Sequence, residues 1–571
     1  MDALALVGTA AAFAATAAAL WEARRARVRR ALAWLALAAL CLRVPPAAHA
    51  FLSPWDERYH ALVAANALRH PGPPVLVAEP LAEPRPDDWR HAHVWLHKPP
   101  LATWLMAATR ALLGPSETAL RVPSILASTL LVLVVFALAR RFVSANAALA
   151  AAGFTAWNAR IVQLAAGLRA TDHVDVLLVL LVAAGAVAAF RASEALRARR
   201  VALVGAATAA AYYAKETPAL VVPAVLFFAL CARGASWRAR VAAPAAALAV
   251  ALALVLPWQL YVAHAFPDAA AFARARGARY FLNVVDHQGG PWYFHLANLP
   301  LDFGWLAPVA LAWLAWQAFR ARPELRPLVY WLALVYGVFT LAATKMQSYV
   351  LVAAPVVFVA LGGLAVDALR AGSPRALLLL ALAAGAVLPV LRVEGPLEAK
   401  ASDPLWTREL RWLAGEVEKL PPGKRAVFAV PWPVECMFYA RATCLSTTPS
   451  EDDLARARAG GFAVAVYGET IPLDPATLPV RRLLAGLARL GADRVRMYNA
   501  SDAADLRAYL NKVLRHSQVS PELPRPGRTA AGDVILVQPG EPQLERLRSA
   551  YPEARFVEDP TYARALDSRL R

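Results

Sequence analysis

The chain has 571 residues, is 59% hydrophobic and carries a formal net charge of +19 at pH 7. Its mean hydropathy of +0.43 excludes a soluble protein with an average surface. A basic total suits nucleic-acid binding as well as membrane topology, so the location of the arginines must decide between them. They cluster in short loops between apolar segments, which indicates an integral membrane protein and no nucleic-acid partner.

The basic loops predict the topology, because short loops rich in Lys and Arg stay on the cytoplasmic side. Such clusters lie at residues 22–30, 140–141, 191–200, 233–240, 319–326 and 370–375. Segments of roughly 20 apolar residues between them are long enough to cross a bilayer. About twelve helices are predicted, at 3–20, 31–50, 119–139, 142–162, 172–190, 201–216, 218–232, 241–262, 299–318, 327–343, 348–369 and 376–393. The first segment has basic residues after it and none before it, so we expect a retained anchor with its N-terminus outside.

Three larger pieces then face outward: residues 51–118, residues 263–298 and everything from 394 onward. In the first piece, DERYHALVAANALRH and PPLATWLMAATRALLG have helical periodicity and are predicted to lie in the membrane interface. The expected fold is therefore mainly α: a polytopic membrane domain over 1–393, followed by an extracytoplasmic α/β domain over 394–571.

In the C-terminal domain short apolar runs alternate with helical patterns. RAVFAVP, FAVAVYG, RVRMYN and DVILVQP predict strands, while DDLARARAG, ATLPVRRLLAGLARLG and ADLRAYLNKVLRH predict helices. This alternation predicts a largely parallel sheet. Cys436 and Cys444 lie in this domain, where a disulfide and two unpaired thiols are equally compatible with the sequence.

An acidic pair, Asp56 and Glu57, begins the first outward piece. Ser53 and Asp56 fit a capping box, with Pro54 at the first helical position. A carboxylate fixed at the start of a helix is also well oriented to accept a proton, so capping and catalysis are both open and do not exclude each other.

Cations and histidines recur in the outward pieces. Lys98, followed by two prolines, suits a lipid phosphate, although a snorkelling lysine would have the same sequence. His93 and His97 near it could bind a divalent cation, a weak metal signature. His287 in the second piece could also ligate a metal or could cap the next helix.

Further ionisable groups lie at the predicted outer ends of the membrane segments, where such residues indicate function. They are Asp172, Asp175, Lys215 and Lys345, with Tyr349 close to the last. By topology they face the same side as Asp56 and Lys98. The sequence therefore predicts a charged cavity bordered by lipid, and group transfer from a lipid phosphate as the chemistry that it suits.

These motifs together resemble the lipid-linked-sugar glycosyltransferases of the C-type fold. The nearest groups are the bacterial aminoarabinose transferases that modify lipid A and the dolichyl-phosphate-mannose protein mannosyltransferases. The resemblance covers roughly residues 31–370 in the right order and is carried by Asp56-Glu57, Lys98-Pro99, Arg121-Val122-Pro123-Ser124, DHVDVLLVLL, AKETPAL, DHQGGPWYFHL and TKMQSYVLVAAPVVFVALGG.

The resemblance implies an inverting transfer of a sugar from a polyprenyl-phosphate donor. Asp56 would be the general base, Glu57 would orient an arginine or the acceptor, and Asp175, preferred over Asp172, would be the second carboxylate. Positive charge would stabilise the leaving phosphate, supplied by Lys98 with Arg58, Lys215 and Lys345. A divalent ion near His97 and His287 would assist, although the family often has an acid where this chain has His97.

The resemblance implies an enzyme of the inner or plasma membrane that acts at its outer side, with a lipid, glycan or protein as acceptor and membrane lipids as neighbours. A transporter or lipid flippase is the alternative from another class, since twelve helices is a common transporter count. Against it, the two halves do not match and the titratable residues concentrate at one face. A polysaccharide polymerase or ligase would use the same donors.

Overall fold

The computed structural model describes residues 3–53, 56–81, 92–168, 173–285, 288–370, 383–385, 387–392, 405–428, 430, 432–447, 449, 451–467, 534–537 and 555–558. The chain divides into two compact units. The helical unit is Met1–His49 with Leu96–Lys400, and the mixed unit is Ala50–Trp95 with Ala401–Arg571. The first outward piece is thus divided, and its first half belongs to the same unit as the C-terminal domain.

The helical unit is built from apolar helices, most of which end at Gly, basic or polar positions. They are α1 (Ala3–Arg24), α2 (Val28–Ala47), α4 (Leu101–Leu113), α5 (Glu117–Ala139), α6 (Ala145–Ala156), α7 (Ala159–Ala165), α8 (His173–Glu194), α9 (Ala198–Lys215), α10 (Val221–Ala232), α11 (Trp237–Ala265), α12 (Pro267–Leu282), α13 (Phe294–Ala297), α14 (Leu299–Phe303), α15 (Leu306–Trp316), α16 (Arg326–Leu341) and α17 (Ala354–Arg370). Short 3₁₀ helices precede α10, α16 and α17, at Thr217–Leu220, Pro323–Leu325 and Gln347–Ala353.

Within the described residues, seven helices are long and apolar enough to cross a membrane. An eighth counts if the bent pair Phe294–Phe303 and Leu306–Ala321, which meet at 110°, is one span. A mainly helical, multi-pass fold is confirmed, whereas the number twelve is not. The predicted span 142–162 is two short helices, because the Asn158 side chain accepts a hydrogen bond from the Ile161 N–H and starts a new helix. Half of the predicted span 376–393 lies outside the described residues.

Small residues allow the helices to pack closely. A Cβ added at Gly362 in α17 would lie 2.3 Å from the Ala147 carbonyl oxygen, and one at Gly205 in α9 would lie 2.5 Å from the Ala247 carbonyl oxygen. Backbones that approach this closely are typical of helix packing in membranes, where van der Waals contact replaces the hydrophobic effect. The alanine and glycine bias of the sequence therefore serves packing.

The mixed unit contains a parallel five-stranded sheet in the order β2-β1-β3-β4-β5. Its strands are β1 (Lys424–Phe428), β2 (Thr443–Cys444), β3 (Phe462–Tyr467), β4 (Val534–Val537) and β5 (Arg555–Glu558). Three of the four predicted strands are confirmed, as is the parallel sheet. The fourth, RVRMYN, and two of the predicted helices lie outside the described residues. Helix α3 (Asp56–Ala67) also belongs to this unit, together with Leu405–Glu418, Pro433–Ala440 and Glu451–Ala459.

The disulfide that the sequence left open is present. Cys436, in the helix Pro433–Ala440, is bonded to Cys444 in β2, while Cys41 and Cys231 are free. The bond joins a helix to the sheet edge and closes a loop with a sequence separation of 8 residues.

Candidate active site

Three helix ends of the helical unit meet at a buried ion pair. Asp175 is in the first turn of α8 and Lys215 is the last residue of α9, and each charge suits the dipole of its own helix end. Because α8 and α9 are consecutive antiparallel helices, these two ends lie side by side. The Lys215 ammonium donates a hydrogen bond to Asp175 Oδ1 and lies 5.6 Å from the centre of the Tyr349 ring.

The Asp175 carboxylate is buried, with 2% exposure. Its second oxygen, Oδ2, has no hydrogen-bond partner within the described part of the chain. A buried oxygen of this kind is costly unless something else binds it. The three residues that the sequence predicted separately, Asp175, Lys215 and Tyr349, are therefore brought together, with an acceptor available for a ligand.

A second buried ion pair was missed in the sequence. Arg160 Nε, in α7, lies 3.6 Å from Asp302 Oδ1, in α14, and both side chains are more than 90% buried. The Asn158 amide donates to the Asp302 main-chain oxygen at 2.9 Å. The signal was present in the sequence, because Arg160 and Asp302 are ionisable residues beside apolar helices, where charge is rarely tolerated without a partner.

The end of the first outward piece contacts the second. The His97 ring lies 6.1 Å from the Tyr280 ring of α12, and the Arg276 guanidinium lies over the same Tyr280 ring. Main-chain hydrogen bonds also join the last turn of α12 to the segment after α16: Ala343 N donates to Phe281 O and Thr344 N to Tyr280 O. His97 and Lys98 thus lie in the unit that contains the Asp175 pair.

Glu216 is a further charged residue at this end of α9. Its φ of +35° is in the left-handed region that residues other than Gly rarely adopt. Burial raises the pKa of the Glu216 carboxyl above its usual range, and the nearby Lys98 charge opposes this shift.

The Lys345 side chain is hydrogen-bonded to the end of a helix. Its ammonium donates hydrogen bonds to the carbonyl oxygens of Thr340 and Ala342, the latter at 2.6 Å, and so caps the C-terminus of α16. Burial lowers the pKa of this ammonium. Its predicted role in phosphate binding stays a prediction, and it would require Lys345 to serve the phosphate in addition to the helix end.

In the mixed unit, the residues of the acidic pair have different surroundings. The Ser53 N–H donates to Glu57 Oε2 at 2.6 Å, so the capping carboxylate is Glu57, one residue later than predicted. Glu57 is buried, whereas Asp56 is partly exposed at the first position of α3. Proton transfer by Asp56 and the orienting role of Glu57 both stay predictions.

Arg58, predicted to bind the donor phosphate, pairs with the C-terminal domain. Its Nη1 lies 2.9 Å from Glu435 Oε1, and its guanidinium lies 5.0 Å from the centre of the Tyr59 ring. Glu435 is fully buried and precedes the disulfide cysteine Cys436. The contact ties α3 to the helix Pro433–Ala440.

The described residues contain no group of three or more His, Cys, Asp and Glu side chains that could hold a metal ion. His287 and Asp172, both candidates from the sequence, lie outside the described residues. The metal expected near His97 and His287 therefore stays a prediction.

Known proteins are similar to this chain in sequence and in fold. The family model of dolichyl-phosphate-mannose-protein mannosyltransferase matches residues 97–261. The undecaprenyl phosphate-alpha-4-amino-4-deoxy-L-arabinose arabinosyl transferase of Pseudomonas aeruginosa (strain LESB58) is 28% identical over 334 residues, which cover 54% of this chain and 59% of the relative. The match thus spans less than two thirds of that relative.

Among solved structures, ArnT from Cupriavidus metallidurans bound to undecaprenyl phosphate superposes with a TM-score of 0.54 at 17% identity, covering 75% of this chain and 87% of ArnT. An oligosaccharyltransferase from Archaeoglobus fulgidus reaches 0.52 at 16% identity, covering 73% of this chain and 64% of the other. The chain has the C-type glycosyltransferase fold. The expected resemblance is confirmed.

Proposed function

We propose that this protein is a membrane glycosyltransferase that moves a sugar from a polyprenyl-phosphate donor to an acceptor at the outer side of the membrane. The observation that carries the proposal is the buried pair of Asp175 and Lys215 beside Tyr349, in a C-type fold. A buried carboxylate oxygen and several cations at one end of a helix bundle suit a sugar hydroxyl and a lipid phosphate. ArnT, which has the same fold, was solved with undecaprenyl phosphate bound.

The proposed reaction is a single displacement with inversion. The acceptor oxygen attacks the anomeric carbon, and its proton passes to the Asp56 carboxylate. The bond between the anomeric carbon and the phosphate oxygen breaks, and the lipid phosphate leaves as an anion. Lys98 stabilises the charge that develops on that oxygen. The acceptor is lipid A, a protein or another envelope glycan, and the C-terminal domain is extracytoplasmic.

The test is transfer by the purified protein in lipid vesicles, with radiolabelled polyprenyl-phosphate sugars and each acceptor class in turn. Asp56→Asn removes the base, so we expect a loss of roughly 10²–10⁴-fold in the transfer rate. Lys98→Ala should slow the reaction, and Lys98→Arg should recover part of it because the positive charge is kept. The matched control is Asp268→Asn, an exposed carboxylate in the first turn of α12.

An asparagine variant at position 56 that transfers at the wild-type rate would falsify the assignment of the base. If the wild type consumes no lipid-linked sugar in any mixture while a solute crosses the vesicle membrane, the protein is a transporter and the proposed function is wrong.

A further inference from the structure

The motif Arg121-Val122-Pro123-Ser124 at the start of α5 has no part in the proposed reaction. Its two polar side chains are nevertheless buried, with 0% exposure for Arg121 and 2% for Ser124. Burial of a cation and a hydroxyl is unfavourable unless both are hydrogen-bonded. Their partners lie on other helices, and those partners give the motif its role.

Arg121 binds the end of α2. Its Nη1 donates to the carbonyl oxygen of Ala47 at 3.0 Å and to that of His49 at 2.6 Å. The last carbonyl groups of a helix have no partner within the helix, and a cation is favourable there because of the helix dipole. Arg121 therefore caps α2 at the point where the chain leaves the helical unit.

Ser124 joins two more helix ends. Its Oγ lies 2.7 Å from the carbonyl oxygen of Ala165, the last residue of α7, and 2.9 Å from Nδ1 of His173, the first residue of α8. The same Oγ also lies 2.8 Å from the main-chain oxygen of Arg121, in its own helix. A hydroxyl has one proton and carbonyl oxygens can only accept, so we assign the Ser124 proton to a carbonyl group and the His173 Nδ1–H as the donor to Ser124 Oγ.

This bond holds the turn that carries Asp175. His173 and Asp175 lie in the same first turn of α8, so the bond from Ser124 to His173 restrains one residue of the turn that carries Asp175. The adjacent ion pair of Asp175 with Lys215 requires the turn to face the end of α9. One turn of α5 thus connects the end of α2, the end of α7 and the start of the helix that carries the buried carboxylate.

We propose that Ser124, acting through His173, is a positioning residue that orients the Asp175 carboxylate toward the donor. The proposal rests on the proposed function, in which Asp175 is the second carboxylate of the site. Ser124 itself does not contact the reacting atoms, so its loss should change the rate of transfer more than the binding of the donor.

The test compares Ser124→Ala with Ser124→Thr, which keeps a hydroxyl, and with Ser193→Ala. Ser193 is a matched control because it is a buried serine in α8 whose hydroxyl donates within its own helix, to Phe190 O at 2.8 Å. We expect Ser124→Ala to lower kcat about tenfold, the effect of one hydrogen bond, with KM for the donor changed by less than about twofold. Ser124→Thr should keep most of the activity.

Two further measurements separate positioning from a general loss of structure. Combining Ser124→Ala with Asp175→Asn should lower kcat no further than Asp175→Asn alone, because the two residues act as one unit. Hydrogen exchange of the main-chain amides in the first turn of α8 should be faster in Ser124→Ala than in Ser193→Ala. His173→Asn, which keeps a donor near Nδ1, should be more active than His173→Phe.

Each outcome has one interpretation. If the wild type transfers no sugar, the proposed function fails, and the exchange experiment still tests the tie between α5 and α8. The positioning role is overturned if the wild type transfers sugar and Ser124→Ala transfers it at the same rate. The same follows if the loss of kcat in the double variant is the product of the losses in Ser124→Ala and Asp175→Asn, because the two residues then act independently. It is also overturned if Ser124→Ala and His173→Phe both fail to fold while Ser193→Ala folds, because the bond then serves the fold alone.

Discussion

At the level of single residues, the ion pair of Asp175 with Lys215 is expected to matter for stability as well as for chemistry. The Asp175 side chain is 3% exposed, so removing its partner leaves a buried charge uncompensated. Lys215→Met should therefore destabilise the protein by about 3–5 kcal/mol. Thermal unfolding in detergent measures this, with Arg199→Met, an exposed cation on the same helix, as the control.

The same experiment has an internal check. Adding Asp175→Asn to Lys215→Met removes the buried carboxylate charge that has lost its partner, so the double variant should be more stable than Lys215→Met alone. If the loss of stability in the double variant equals the sum of the losses in the two single variants, the two side chains do not act as a pair.

Glu216 gives a prediction for pH. Its folded-state pKa is raised above the ordinary value of 4.5, mainly by burial, so the folded protein holds this proton more tightly than the unfolded chain does. The carboxyl therefore stabilises the fold below pH 4.5, and this contribution is lost as the pH rises through the raised pKa. Glu216→Gln should be more stable than the wild type at pH 7, and the difference should shrink at pH 4.

Glutamine keeps the shape of the side chain and the same positive φ, so this comparison isolates the charge. Unfolding midpoints at both pH values measure the effect. Equal stabilisation at pH 4 and pH 7 would contradict an origin in the Glu216 proton.

At the level of elements, the disulfide joins the helix Pro433–Ala440 to β2 and lies next to the buried Glu435 that pairs with Arg58 of α3. We predict that unfolded, unreduced protein reacts with two equivalents of a maleimide, at Cys41 and Cys231, and with four after reduction. Four equivalents without reductant would contradict the bond.

Loss of the disulfide should also weaken the mixed unit. Closing a loop of this length removes chain entropy from the unfolded state and is worth about 2.5 kcal/mol. Cys436→Ser with Cys444→Ser should lower the unfolding midpoint of the mixed unit, and Cys41→Ser with Cys231→Ser serves as the control, since neither of these thiols is bonded.

At the level of the whole molecule, the two ends of the bundle should face opposite sides of the membrane. Helix α8 has 22 residues, or about 33 Å at 1.5 Å per residue, which spans the hydrocarbon core. Its first turn holds Asp175, and its last turn leads to the basic loop before α9. In a background without Cys41 and Cys231, an impermeant maleimide should label Thr217→Cys in intact cells and Arg197→Cys only after permeabilisation.

Both positions are exposed and flank the same helix, α9, so each is the control for the other. Labelling of Arg197→Cys in intact cells, with protection of Thr217→Cys, would reverse the proposed orientation and place the Asp175 pair on the cytoplasmic side.

Much of the fold could be predicted from the sequence, because hydropathy and periodicity are local properties. Helices α3 and α4, the apolar helices that flank the basic loops, and the strands β1, β3 and β4 all form where the pattern predicts. The break at Asn158 was missed, because a cap within an apolar run depends on one side chain. The two-residue strand β2 was missed because it is too short to have a pattern.

The site was predicted only in part. Charge at the ends of apolar helices identified Asp175 and Lys215, but their pairing depends on which helices are neighbours. The same holds for Arg160 with Asp302 and for Arg58 with Glu435, which are far apart in sequence. Glu57 and Lys345 also bond main-chain groups at helix ends, contacts that the sequence did not predict for them, and their roles in the chemistry stay predictions.

By itself the sequence determined that this protein is a multi-pass membrane protein with an α/β domain and charges gathered at helix ends, because each of these follows from local composition. Only the tertiary structure decided which charges are partners, that Cys436 and Cys444 are bonded, and that α3 belongs with the C-terminal domain. It also gave Arg121 and Ser124 their partners. The physical reason is that hydrogen bonds and ion pairs depend on distances of a few ångströms between residues that folding, and not chain order, brings together.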